Sequence, residues 1–317
     1  MDQQKIPAIL FFYLVCIFII SCNDTNRPAE KKIVADPLDM DQAVSESIKQ
    51  TLNFALEHQG KINDSFHLKL VSLVSDFYSQ NDHATIWSHN EKWVPLVDTM
   101  INFLQNSELY GLFSKDYHFK DLRELKSSLD SDSLKRMDAQ QWTKADLLLT
   151  DGFMHLLKDL KVGRLRPDSA FLHKNDTSSK TDFYITTLKT LVQNRDLTSL
   201  VSNIEPKHFG YQELKKSIPG FLDSMDRKVY TYVTYPFKKS DVKDSVFFIS
   251  LLQKRLRESG FVEGDSKLPD SAQLNAAIKK YQKRKGLRQD GKISAPLVRM
   301  LNLSDVERFK RIAITLL

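Results

Sequence analysis

Cysteine is nearly absent from this chain. Of its 317 residues two are cysteines, Cys16 inside the apolar run from Ile6 to Ile20 and Cys22 just after it. Residues 23–317 therefore offer no disulfide, no thiolate metal ligand and no thiolate nucleophile. Glycine is scarce too, at 10 residues against a usual share of about 7%, which leans the composition towards helix. Charge of one sign is not in large excess: 46 Lys+Arg face 40 Asp+Glu, a net +6 that permits an acidic partner without demanding one. Long hydrophobic runs are missing. The run from Ile6 to Ile20 is shorter than the ~18–20 apolar residues of a spanning helix and follows Lys5, the pattern of an export signal. What is present, 41% hydrophobic and 27% charged residues, excludes a disordered, collagen-like or disulfide-scaffold polypeptide and allows two domains.

The common catalytic and metal patterns are lacking as well. The eight histidines form no His-x-x-x-His pair and no His-Glu-x-x-His helix, so they read as surface or half-buried side chains. Ser240-Asp241-Val242-Lys243 has Ser-x-x-Lys spacing, but it lies in a charged stretch without a Lys-Thr-Gly partner and reads as chance. No Gly-x-Ser-x-Gly elbow, phosphate-binding loop or dinucleotide fingerprint occurs. No catalytic residue, metal site or cofactor is expected on these grounds. Carboxylate pairs for glycan hydrolysis are open by spacing, and nothing singles one out.

Residues 23–45 are polar, carry Pro28 and Pro37 and show no apolar period, so they read as a flexible tether of at most about 75–80 Å at ~3.3–3.6 Å per residue. Helical stripes follow: Ile48, Leu52, Ala55 and Leu56; Leu70, Val71, Val74, Phe77 and Tyr78; Val97, Met100, Ile101 and Leu104; and Leu147 through Leu160, stopped by Gly163 and Pro167. Lys174 to Lys180 reads as loop, Ile185 to Val192 and Tyr211 to Met225 as helices. Val229 to Tyr235 is the one strand-like run, β-branched and aromatic, ending at Pro236. Three short helices then form a small module. The first buries Phe248, Leu251, Leu252 and Leu256 and stops at Gly260; the second follows Asp270, a cap three residues before Gln273, and buries Leu274, Ala277, Ile278 and Tyr281 up to Gly286. After the Asp290-Gly291 turn, Ser294 caps the third, with Pro296 in its first turn. The expected fold is mainly α.

Ile19-Ile20-Ser21-Cys22 resembles the cleavage box of bacterial lipoproteins. The resemblance implies removal of residues 1–21 and acylation of Cys22, and several acyl chains at about 0.8 kcal/mol per buried CH₂ anchor a protein stably. Asn23 and Asp24 then occupy the positions where a host's sorting rules read the inner or outer membrane as destination. The alternative is an ordinary signal peptide with Cys22 incidental.

Residues 241–303 resemble the peptidoglycan-binding domains of bacterial wall enzymes. The likeness rests on Leu252-Gln253 with Leu256 and Gly260, on Ala277-Ile278-Lys279-Lys280-Tyr281-Gln282 with Gly286-Leu287, and on Asp290-Gly291-Lys292-Ile293-Ser294 with Leu297 and Leu301-Asn302. Tyr281 replaces the commoner Phe, and Val298 stands where Thr is usual. Residues 46–240 resemble the helical scaffold domain of large Gram-negative L,D-transpeptidases through Phe77-Tyr78, Ile86-Trp87, Trp93 with Pro95-Leu96, Leu109-Tyr110-Gly111-Leu112 with Asp116-Tyr117, and Asp146 to Asp151 through Leu160 and Gly163-Arg164 to Pro167. Phe113-Ser114 departs from the family's loop. Residues 304–317 resemble the helix that leads into the family's catalytic domain, which acts through a cysteine in a Ser-x-Gly-Cys-x-Arg segment that this chain lacks.

The resemblance implies a lipid-anchored, periplasm-facing protein of the cell envelope that binds peptidoglycan without catalysing a reaction and, free of any cofactor, positions itself, or a separately encoded wall enzyme, at the wall. Two other readings stand beside it: the front fragment of a murein L,D-transpeptidase, and a structural adaptor without wall binding. The candidate wall contacts are Tyr281, Arg284, Asp290 and Lys292. Lys279, Lys280, Lys283, Arg284, Lys285 and Arg288 crowd one helix end without an intervening acid; they either meet stem-peptide carboxylates or simply complement the helix dipole. Nucleic acid is not an expected partner, since export removes the protein from it.

Overall fold

A computed structural model of the chain describes residues 28, 30–164, 177–235, 242–262 and 271–316. Cys22, the export signal, Pro167, Lys174 to Asp176, Pro236, Ser240-Asp241 and Asp270 lie outside the described residues. The described residues form thirteen α-helices and one two-stranded hairpin, the mainly α fold expected. The chain divides into two compact units, Met1–Gln105 with Ser114–Lys158 and Pro167–Ile204, and Asn106–Phe113 with Asp159–Arg166 and Glu205–Leu317. This division does not follow the sequence boundary at residue 240.

In the first unit, helix α1 (Met40–Glu57) buries Met40, Val44, Ile48 and Leu52 at four-residue spacing. The expected tether is shorter than the sequence suggested. The Val34 N–H donates to the Met137 carbonyl and the Ala139 N–H to the Lys32 carbonyl, both at 2.8 Å, and the Lys32 N–H donates to Asp138 at 3.0 Å. Residues 32–45 are therefore built into the unit. Backbone pairing with a distant turn leaves no side-chain period in the sequence, which is why polar composition alone read as tether.

Helices α2 (Val71–Ser79), α3 (Leu96–Gln105), α4 (Phe119–Ser131), α5 (Ser133–Arg136) and α6 (Ala139–Val162) follow. Strands β1 (Ser88–His89) and β2 (Lys92–Trp93) pair antiparallel around Asn90 and Glu91, both at positive φ, as a tight hairpin turn requires. Helix α6 carries two fully buried acids that hold loops. Asp146 accepts from the Tyr78 hydroxyl at 2.6 Å, from the Thr85 hydroxyl, and from the Ile86 and Trp87 N–H groups at 3.1 and 3.2 Å. Asp151 accepts from the Lys69 and Leu70 N–H groups at 3.1 and 2.7 Å and pairs with His118 at 2.6 Å. Between them Thr150 accepts the Trp87 indole N–H at 2.9 Å. Helices α7 (Thr177–Asn194) and α8 (Leu197–Ile204) complete the unit; α7 includes the expected helix from Ile185 to Val192, and begins where the sequence suggested the end of a loop.

In the second unit α9 (Phe209–Ser224) and α13 (Asp305–Leu316) share a core of Tyr211, Ile218, Phe309 and Leu316, against which Phe113 packs. Residues 304–317 were expected only as a lead into another domain. Their α13 segment also supplies core side chains, Phe309 and Leu316. The remaining helices are α10 (Val242–Glu258), α11 (Ser271–Arg284) and α12 (Ala295–Asn302). They bury Phe248, Leu252, Leu256, Leu274, Ala277, Ile278, Tyr281, Leu297, Val298 and Leu301 together. Ser294 caps α12 by accepting from the Leu297 N–H. Gly260 and Gly286 both have positive φ where their helices stop, as the sequence indicated.

The expected strand from Val229 to Tyr235 does not form. Val233 is buried, whereas Val229 and Tyr232 are exposed. The backbone is satisfied by side chains: Thr231 donates its N–H and hydroxyl to Glu258, each at 2.6 Å. The Asn302 amide accepts from the Val233 N–H at 2.9 Å and donates to the Val233 carbonyl at 2.7 Å. β-branched residues favour extended backbone, but a ladder needs a second strand. Burial alone would raise the Glu258 carboxyl, yet the Thr231 bonds and the nearby Lys254 and Arg255 hold it below its ordinary 4.5. A lowered acid contributes stability above its unfolded pKa and loses it as pH falls through the native value. The Thr231 amide should therefore exchange faster, relative to α9, as pH falls below 4.5. Glu258→Gln should abolish that pH response; unchanged relative exchange would refute the clamp.

Candidate functional site

The second unit contains a cleft of about 270 Å³. Its lining includes Arg255 from α10, Tyr281 and Arg284 from the end of α11, Tyr230 from the extended segment and Arg308 from α13. Helical spacing explains the floor. Arg255 follows Leu252 by three positions and so falls on the buried stripe of α10; it is 5% exposed. Its guanidinium donates to the Ser259 hydroxyl and the Leu301 carbonyl and stacks 3.9 Å from the Tyr230 ring centre. Burial pulls its pKa below the ordinary value.

Tyr281, at i+7 from Leu274, closes the apolar stripe of α11 and is 3% exposed. Phe261 meets its ring edge to face at 5.2 Å, and the Arg284 guanidinium lies 5.6 Å from the Phe261 ring centre. The Tyr281 hydroxyl and the Arg255 Nε are both buried without a hydrogen-bond partner among the described residues. Burial raises the Tyr281 phenol, and Arg255 and Arg308 partly pull it back.

Four cations, Arg255, Arg284, Lys285 and Arg308, face two carboxylates here, Asp226 and Asp305. Both acids are engaged. Asp226 accepts from the Tyr230 hydroxyl at 2.6 Å and the Lys228 N–H at 2.8 Å, while Asp305 accepts from the Asp226 N–H at 3.2 Å and pairs with Arg308 at 3.6 Å.

Of the four candidate residues, Tyr281 and Arg284 line this cleft, and Asp290 and Lys292 are not among its described lining. Asp290 instead shapes a turn. The Lys292 N–H and the Gln282 amide both donate to its carboxylate at 2.9 Å, which holds its pKa below the ordinary range, and the Gly291 N–H donates back to Gln282 at 2.9 Å. Gln282 is buried, so it acts as the clamp of the Asp290-Gly291 turn. Lys292 is exposed. Sequence reasoning did not select Arg255, whose signal was a cation placed on an apolar stripe, or Tyr230 and Arg308, which come from distant segments. Among the described residues no cluster of His, Cys, Asp or Glu suits a metal ion, and no helix is long and apolar enough to cross a membrane.

The comparisons with known families associate the chain with the cell wall. Residues 72–218 match the family described as Scaffold domain, and residues 248–301 match the Putative peptidoglycan binding domain. The chain thus carries a region that matches a scaffold domain and, after it, a region that matches a peptidoglycan-binding domain, the pair and the order that the sequence resemblance implied. No curated protein matches the chain.

Proposed function

We propose that the protein is a membrane-anchored lipoprotein that binds peptidoglycan and holds itself, or a separately encoded enzyme, at the wall, facing the periplasm and without catalysis by this chain. The match of residues 248–301 to a peptidoglycan-binding domain carries the reading. The cationic cleft supports it, since wall stem peptides offer carboxylates. The lack of any cysteine in residues 23–317 supports the non-catalytic part, because the family's chemistry runs through a thiolate. With docking beginning at Lys32, the stretch from Asn23 to Lys31 spans at most about 30 Å at ~3.3–3.6 Å per residue, so an acylated Cys22 would hold the start of the first unit within that distance of the membrane.

The purified chain should pellet with isolated sacculi and be released by soluble muropeptides; failure to pellet removes the wall-binding reading. Cys22→Ser should abolish fatty-acyl labelling and move the protein from the membrane fraction to the soluble fraction. Retention of both would remove the anchor.

The order of the two matched domains favours a second reading, the front portion of a murein L,D-transpeptidase. Reading the DNA beyond the Leu317 codon for Ser-x-Gly-Cys-x-Arg tests it.

A further inference from the structure

The cleft is not confined to the matched module. Arg255, Tyr281 and Arg284 lie within residues 248–301, whereas Asp226, Tyr230, Asp305 and Arg308 lie outside them and complete the lining. Its unmet polar groups are of one kind. The Tyr281 hydroxyl has a proton to donate, the Arg255 Nε carries another, and both lack a partner. Arg284 and Arg308 at the cleft are exposed cations. Such a set calls for an acceptor, and an anionic one.

The two acids narrow the choice. Asp226 and Asp305 repel a compact dianion such as phosphate, but they suit a ligand that brings one carboxylate and also an amine. The Phe261, Tyr230 and Met300 side chains in the lining offer apolar contact to the aliphatic part of such a ligand. At about 270 Å³ the volume lies near the lower end of the ~300–1,000 Å³ of small-molecule sites, room for a residue or two of a peptide.

We infer that this cleft binds the free carboxylate end of a short peptide, with Arg284 and Arg308 taking the carboxylate above the Tyr281 hydroxyl. The inference rests on the wall-binding reading for the identity of the peptide, a stem peptide of peptidoglycan. It also makes the peptide site a joint product of the module and its flanking segments, so that Arg308, outside the matched domain, decides affinity.

The test is calorimetric titration of the full chain with a wall-derived tetrapeptide, with the same peptide amidated at its C-terminus, and with inorganic phosphate. The free acid should bind saturably, and the amide and phosphate at least tenfold more weakly. Arg308→Gln should weaken the free acid at least tenfold. Tyr281→Phe should weaken it several-fold without lowering the unfolding temperature, because it removes a hydroxyl that has no protein partner. Equal binding of acid and amide, phosphate binding as tight as peptide, or full affinity in both variants would overturn the assignment. Sacculus pelleting separates the two proposals: pelleting without acid-over-amide preference sinks the cleft alone, whereas peptide binding without pelleting sinks the wall-binding reading and leaves the cleft standing.

Discussion

Asp146→Ala is expected to destabilise the first unit by about 3–5 kcal/mol, the cost of leaving several buried neutral donors without their shared acceptor at about 1–3 kcal/mol each. The carboxylate serves four donors at once, from Tyr78, Thr85, Ile86 and Trp87. Alanine would leave the buried Trp87 N–H without that acceptor and leave the Tyr78 hydroxyl with Thr150 and the backbone carbonyl of residue 146, and each unmet buried group costs about 1–3 kcal/mol. Asp146→Asn keeps the shape and one acceptor oxygen, so it should cost less. The difference has a pH signature. Burial pushes the Asp146 carboxyl above 3.8, against hydrogen bonds that favour its charged form. A native pKa above the unfolded value gives a contribution fully present below 3.8 and lost as pH rises through the native value. The advantage of the wild type over Asp146→Asn should therefore shrink from acid towards neutral pH. Urea unfolding followed by circular dichroism checks both statements, and a loss under about 1 kcal/mol for Asp146→Ala would show that the loops are held by packing alone.

Gly111→Val should cost about 3 kcal/mol and loosen α13 specifically. Gly111 ends a short 3₁₀ turn, Ser107–Tyr110, at φ 69° in the left-handed region, where an ordinary residue costs about 1–2 kcal/mol. A Cβ there would stand 2.8 Å from the Leu316 Cδ2 and 3.4 Å from the Ala313 Cα. Leu316 can swing aside, but the valine methyls then meet the α13 backbone, an overpacking worth roughly another 1–3 kcal/mol. Hydrogen exchange should show lost protection in α13 with α6 unchanged before residue 159. Intact α13 protection would mean that the Gly111 approach does not hold that helix. The result also bears on the cleft, because Arg308 is carried by α13.

Local pattern explains what could be read in advance. The stripes of α1, α3, α6, α10, α11 and α12 repeat at three and four residues, and such a stripe must face a core wherever that core lies. Gly163, Gly260 and Gly286 each take positive φ at a helix end, a requirement of the turn itself. Asp290-Gly291 was legible as a turn for the same reason. Even within α1 the pattern held more than composition suggested, since Met40 and Val44 extend the Ile48 and Leu52 spacing into the expected tether.

The amino-acid sequence by itself determined the apolar stripes of the longer helices, the glycine-stopped helix ends and the order of the two matched domains, because each depends on residues a few positions apart. Only the tertiary structure decided that residues 32–39 dock beside α6, that Val229 to Tyr235 is held by Glu258 and Asn302 and not by a strand, and that α13 belongs to a core. It alone assembled Tyr230, Arg255, Tyr281 and Arg308 around one cleft. These outcomes rest on single hydrogen bonds and contacts between residues far apart in the chain, such as Lys32 with Ala139 and Phe113 with Phe309, and a contact of that kind has no period and leaves no mark on the neighbouring sequence.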